Sequence, residues 1–255
     1  MAVLVEAADK AAVVEVEVAT AGDKIMVVEN IIYIADPEIL AIPIKECNEP
    51  LIDIKNTGDL SYGPPPENEF TTNDYTKMRE TVYKKLLAAQ ADLPKGLRFR
   101  IYEGYRSKKV QKLLFDEMHE QMVKRHPDFT PEEIFHETTR LVSPIINFDG
   151  TENDVPAHNS GGAIDIEIMD EAGNMLGMGM ESKDWIQVEP DLCNTRCQTI
   201  SDVTRKNRML LLELMESHGF INYPTEWWHF SYGDRYWAYH TNNTHALYGS
   251  ADNLK

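Results

Sequence analysis

Only three cysteines, Cys47, Cys193 and Cys197, occur in 255 residues. An odd, sparse set in a chain large enough to bury its own core excludes a disulfide-stapled scaffold and agrees with a reducing compartment. Cys193 and Cys197 can be read as half of a zinc site, but no second pair accompanies them, so they are expected to be free thiols. Basic residues are also few. Lys plus Arg total 25 against 42 Asp plus Glu, and 25 − 42 = −17. That charge repels phosphate and argues against nucleic acid and anionic membranes as partners. Long apolar runs are missing, because acidic residues interrupt each one, and no cationic segment precedes the apolar residues at the start. Neither a membrane span nor an export signal is therefore expected, and the expected location is cytoplasmic. No internal repeat or coiled-coil period is present. The expected organisation is an N-terminal extension, residues 1–24, in which Val13–Val18 alternates as a strand would, followed by one domain, residues 25–255.

Within that domain, strands are expected at Ile25–Ile34 and Leu51–Ile54, and a proline-rich loop lies between Gly58 and Phe70. Met78, Val82 and Leu86, spaced by four, predict a helix from Thr72 or Asn73 to about Leu93. A strand follows at Leu97–Tyr102, where apolar and basic residues alternate. Ser107 can cap a helix running to about Lys124, and Thr130-Pro-Glu-Glu133 is a capping box opening a helix to about Leu141. Ile164, Ile166 and Ile168 alternate with Asp165 and Glu167, the pattern of a half-buried strand. Asp170–Asn174 reads as a turn and 175–199 as irregular. Ser201 caps a helix ending at His218–Gly219, with Val203, Met209, Leu210, Leu214 and Met215 inward, and Phe220 to Tyr232 reads as strand.

Most of the eight histidines sit on or beside helices or in a polar tail, where a solvated or capping role is the ordinary one. His158 and His229 keep different company. His158 precedes Gly161-Gly162 and the strand bearing Asp165, while His229 lies in Glu226-Trp-Trp-His229. Two imidazoles and one carboxylate with a position left open is the ligand count of a catalytic zinc site, whereas structural sites use four protein ligands and favour cysteine. Glu226, three residues from His229, is then placed to take a proton from water and pass it to a leaving amine; the plain alternative is a salt-bridged glutamate. Trp227 and Trp228 read as core and pocket wall. Arg106, where a strand turns into a helix, carries the forked permanent charge suited to a carboxylate or an oxyanion.

Taken together, His158-x-x-Gly161-x-Ala163-x-Asp165, Glu226-Trp-Trp-His229 and Glu103-Gly-Tyr-Arg106 resemble, in order and spacing, the motifs of the VanX-type zinc D-alanyl-D-alanine dipeptidases. The resemblance spans about Ile25 to Trp237. It implies one Zn2+ per chain held by His158, Asp165 and His229, with Glu226 as catalytic base and acid and Arg106 as stabiliser of the tetrahedral intermediate. It also implies a small dipeptide substrate and an α+β fold, a small antiparallel sheet flanked by helices, shared with the D-alanyl-D-alanine carboxypeptidases and the hedgehog domain. Pro156 stands where the family has Ser, Glu103 where it often has Asp, and Ser107 where it has Pro. Asp184 and Glu181 are candidates for the acidic residues that receive the substrate's amino group in the family. Two alternatives stay open: a D,D- or L,D-carboxypeptidase trimming peptidoglycan stems, and a non-catalytic hedgehog-like binding module.

Overall fold

In the computed structural model, residues 31–66, 73–252 and 254 are described. The strands are β1 (Leu51–Asp53), β2 (Ser61–Tyr62), β3 (Lys77–Arg79), β4 (Leu97–Glu103), β5 (Ala163–Asp170), β6 (Ile221–Asn222) and β7 (His229–Ser231). The helices are α1 (Pro37–Leu40), α2 (Glu80–Ala91), α3 (Lys108–Arg125), α4 (Pro131–Thr139), α5 (Pro190–Cys193), α6 (Asp202–Ser217) and α7 (Arg235–His240). The architecture is α+β, as the sequence implied. The expected strand at Val13–Val18, the boundary near residue 24 and most of the strand expected at Ile25–Ile34 lie outside the described residues, and residues 31–34 form no strand.

The main sheet has the order β2-β4-β5-β7-β6, and β1 pairs with β3 in a small sheet of two strands. All neighbours in the main sheet are antiparallel except β2, which lies parallel to β4, so the purely antiparallel sheet expected gains a parallel edge. That edge forms inside the proline-rich loop, where Gly63 N–H donates to the Ile101 carbonyl at 3.0 Å.

β5 is the central strand, and its burial differs from expectation. Ile164, Ile166 and Ile168 enter the core with Phe99, Ile101 and Phe230 and with Val82 and Leu86 of α2 and Leu211, Leu212 and Met215 of α6. The opposite face is buried as well, since Asp165 and Glu167 are each only 3% exposed. Glu167 is satisfied there by Arg100, directly opposite on β4 at 2.8 Å, and by the Ser182 hydroxyl at 2.6 Å. The irregular segment after β5 thus supplies a polar partner to a face that alternation alone assigns to solvent.

Helix starts follow local chemistry. Ser107 accepts from Val110 N–H, both halves of the Thr130–Glu133 capping box form, and Ser201 accepts from Thr204 N–H. α2 begins later than the apolar spacing predicts. The backbone before it is consumed by long-range bonds: Met78 pairs with Ile52, the Tyr75 carbonyl accepts from Gly104, the Lys77 carbonyl from Tyr105, and Arg79 N–H donates to the Gly161 carbonyl. On α6, Val203 is exposed rather than inward, while Leu211 and Leu212 are buried. The strand expected from Phe220 to Tyr232 is interrupted after Asn222, because Pro224 cannot donate to a ladder and a turn follows it. No helix among the described residues is long and apolar enough to cross a membrane.

The three cysteines are free thiols, as expected. Cys47 is exposed, Cys193 and Cys197 are buried, and burial pushes the Cys193 thiol up to about 12. Titration of the folded protein with a thiol reagent at pH 8 is expected to modify Cys47 alone, the other two reacting only on unfolding. Prompt reaction at three thiols would contradict this packing.

Candidate metal centre

Four chain segments meet at the site, and the register of the sheet selects them. Asp165 on β5 pairs with His229 on β7 and, on its other side, with Glu103 on β4. The second pairing depends on a bulge. Between Ile101 and Glu103 the β4 chain advances two residues while β5 advances one, from Ile166 to Asp165. Without the extra residue, Glu103 would share the core face of Ile101; with it, Glu103 moves to the face of Asp165.

His158 comes from the 3-10 turn Ala157–Ser160, which opens at the buried Pro156 and closes at Gly161 in the left-handed region, φ 71°. A side chain on Gly161 would also meet the Leu51 methyl at 2.8 Å. The turn is tied to the residues after β4. The His158 carbonyl accepts from Arg106 N–H at 3.2 Å, and the ring Nδ1 lies 2.7 Å from the Gly104 carbonyl. A carbonyl can only accept, so Nδ1 carries the proton and Nε2 keeps its lone pair toward Asp165 and His229.

The structure brings the three expected ligands together. His158 Nε2 and His229 Nδ1 are 3.1 Å apart, His158 Nε2 and Asp165 Oδ1 3.3 Å, and His229 Nδ1 and Asp165 Oδ1 3.1 Å. All three residues are buried, and they are the one group of potential metal ligands of this kind among the described residues. Tetrahedral zinc bonded at about 2.0–2.1 Å separates its donors by roughly 3.3 Å. The near-equilateral triangle therefore fits such an ion.

Glu226 and Arg106 flank the triangle. The turn Tyr223–Glu226 carries Glu226 to 3.6 Å from His229 Nδ1. This turn is clamped by Trp227 N–H donating to the Cys193 carbonyl and Thr195 N–H to the Pro224 carbonyl, each at 2.9 Å. Trp228 lines the cavity, whereas Trp227 packs against Arg208. The Arg106 guanidinium reaches Glu103 at 2.5 Å, the Gln111 side-chain oxygen at 3.0 Å and Asp165 at 3.7 Å, and its Nε has no partner. Gln111 in turn donates to the Ser143 carbonyl at 2.7 Å, which fixes its amide orientation. Sequence reasoning missed Gln111, because one polar position in an amphipathic helix carries no distinguishing signal.

The electrostatics separate the two central carboxylates. Burial opposes ionisation of Asp165, yet the His158 and His229 imidazoles, by charge and hydrogen bond, hold its carboxyl well below the usual range. Glu226 moves the opposite way: burial first, then the negative charge of Asp165, raise it well above an ordinary glutamate. Burial and charge thus push the proton affinities of the two carboxyls in opposite directions.

These groups open into a cavity of about 990 Å3, counting its mouth, walled also by Tyr102, Leu114 and Glu117 and by Lys183, Trp185 and Gln187. Neither Glu181 nor Asp184 is among the residues lining it, and Glu181 pairs with Lys183 at 3.0 Å.

Comparison with known proteins gives this arrangement its class, that of a metallopeptidase. The family described as D-ala-D-ala dipeptidase matches residues 69–248. A D-alanyl-D-alanine dipeptidase from Synechocystis sp. is 31% identical over 242 residues, 84% of this chain and 96% of that protein. Another D-alanyl-D-alanine dipeptidase, from Escherichia coli, is 33% identical over 73 residues, 29% of this chain and 36% of the relative. Among solved structures, a vancomycin-resistance D,D-pentapeptidase in complex with Zn(II) gives a TM-score of 0.37 at 15% identity, covering 80% of this chain and 96% of that one. An LD-carboxypeptidase gives 0.39 at 17%, covering 80% and 81%. The chain belongs to the D-ala-D-ala dipeptidase family of peptidases.

Gly104 offers a test of the geometry. A Cβ there would lie 2.4 Å from the Lys77 carbonyl oxygen, so Gly104→Ala must displace the strand end whose carbonyl orients His158. We expect a cost of about 1–3 kcal/mol, read as a Tm lower by roughly 2–12 °C, together with weakened zinc binding. An unchanged Tm would show that this backbone is not under the constraint described.

Proposed function

We propose that the chain, with residues 25–255 as its catalytic domain, is a zinc-dependent dipeptidase that hydrolyses D-Ala-D-Ala to free D-alanine. The observation that carries the reading is the donor triangle of His158 Nε2, Asp165 Oδ1 and His229 Nδ1, with a proton-raised Glu226 at its edge. In this reading those three atoms would hold one Zn2+ per chain, beside the cavity. Zinc held there acidifies water to a pKa of about 7 and polarises a carbonyl.

The remaining work falls to side chains. Glu226 takes the proton of the attacking water and delivers it to the departing amine, a task suited to a carboxyl whose affinity for protons is already raised. A cation held at the triangle would offset the repulsion from Asp165 and so favour the ionised, proton-accepting form of Glu226. Arg106 remains cationic throughout. Held by Glu103 and Gln111, it places its fixed positive charge in the cavity wall, where charge develops on the substrate oxygen. Trp228 and Leu114 limit water around the reacting atoms, which strengthens both interactions. The family's own description, and the names of the two dipeptidase relatives, support the choice of dipeptide.

Glu226→Gln keeps the shape and removes the proton carrier, so zinc content is expected to stay near one per chain while kcat falls about 10²–10⁴-fold. Turnover at the parent rate would remove Glu226 from the mechanism. Incubation with D-Ala-D-Ala and, separately, with a pentapeptide ending in the same pair is expected to release D-alanine from the dipeptide. Release from the pentapeptide alone would make the enzyme a carboxypeptidase, and release from neither would leave a binding module.

A further inference from the structure

Three residues beyond β7, Asp234 is a buried carboxylate, 3% exposed, that the proposed chemistry does not use. One oxygen accepts from Trp237 N–H at 2.8 Å and so caps α7. The other is buried with no well-aligned donor, and no Lys or Arg pairs with this carboxylate among the described residues. A buried charge left so costs several kcal/mol unless something else answers it. The hydroxyl within its reach is that of Ser231. Ser231 is fully buried, and its Oγ lies 3.5 Å from His229 Nε2, the ring nitrogen turned away from the donor triangle.

We infer that Ser231 and Asp234 form a relay that sets the tautomer of His229 and thereby the metal affinity of the site. The inference rests on the zinc reading above. His229 can offer a lone pair at Nδ1 only if its proton sits on Nε2. That proton needs an acceptor, and the acceptor in position is Ser231 Oγ. A hydroxyl that accepts there has its own proton free for the next acceptor, the Asp234 carboxylate. The order of donation is then Nε2–H to Oγ and O–H to carboxylate, with each of the two protons used once. Outer partners of this kind typically govern metal affinity by about 10–100-fold. Ser231 and Asp234 touch neither substrate nor reacting atoms, so they are positioning residues.

The two ends of the relay fail in different ways. Ser231→Ala removes the acceptor. Asp234→Asn keeps the size and remains a good helix cap, but its amide group donates to Ser231 Oγ. The hydroxyl proton is then driven toward His229 Nε2, which favours the wrong tautomer.

The full-length protein and its Ser231→Ala, Asp234→Asn and doubly substituted forms should be compared by Zn2+ competition with a chromophoric chelator. Thermal melts of the metal-free forms, and His158→Ala, serve as controls. We expect each single substitution to raise the zinc Kd about 10–100-fold, and the double form to stay within roughly threefold of the weaker single one, because links in series fail once. The metal-free Asp234→Asn protein is expected to melt like the parent. Zinc affinities within twofold of the parent would overturn the relay while leaving the triangle intact. Full additivity, or loss of affinity only alongside a lowered metal-free Tm, would also overturn it, by pointing to packing damage. If His158→Ala binds zinc as the parent does, the zinc reading itself fails and the relay with it.

Discussion

Asp165 faces His229 across one ladder and Glu103 across the other, and this single row of cross-strand neighbours governs the site. Directly paired residues on one face of a sheet stand about 4.5–5.5 Å apart at Cβ, which lets short side chains share one small volume. A slip of one residue in either ladder would turn the carboxylate or the imidazole into the core and dissolve the cluster. The register is therefore held by apolar commitments as much as by polar ones. Ile164, Ile166 and Ile168 have no alternative burial, and their fixed positions leave Asp165 on the face where His229 waits.

Gathering so many ionisable groups out of water is costly, and the surrounding chain is built to support it. Arg79 shows how. Fully buried, it pairs with Glu46 and donates to the carbonyls of Glu49, Ser160 and Gly249, with its guanidinium over the Tyr248 ring. It thereby fastens the segment before β1, the His158 turn and the C-terminal residues to the start of α2. Glu46 itself is exposed, so the anchoring of the buried guanidinium rests chiefly on its three carbonyl acceptors. Around the triangle the same logic recurs at shorter range, with Arg106 held by Glu103 and Gln111, and His158 fixed by the Gly104 carbonyl.

Where the sequence was read correctly, the deciding interactions were local. Ser107, Thr130 with Glu133, and Ser201 each satisfy a helix start within three residues, and they open α3, α4 and α6 where expected. Misreadings trace to distant partners. Met78 fits a helical stripe with Val82 and Leu86, yet it is drawn into β3 by Ile52 and by the backbone donors of Gly104 and Tyr105, which bond to the Tyr75 and Lys77 carbonyls. Glu167 looks solvent-facing until Arg100 and Ser182 cover it. The acidic residues Glu181 and Asp184, plausible by position, stand away from the cavity, while Lys183, Trp185 and Gln187 between and after them line it.

By itself the sequence determined the residue types of the site, the spacing of His158 and Asp165 around their glycines, the presence of Glu226 and Arg106 in their motifs, and the starts of α3, α4 and α6, though not the short helices α1, α5 and α7. These are properties of short stretches, set by backbone freedom, capping and side-chain chemistry. Tertiary structure alone decided which nitrogen of each imidazole faces inward, that a bulge after Ile101 swings Glu103 to Asp165, and that burial parts the proton affinities of Asp165 and Glu226. Each of these depends on a partner fifty or more residues away, and no local pattern encodes the distance at which two such partners come to rest.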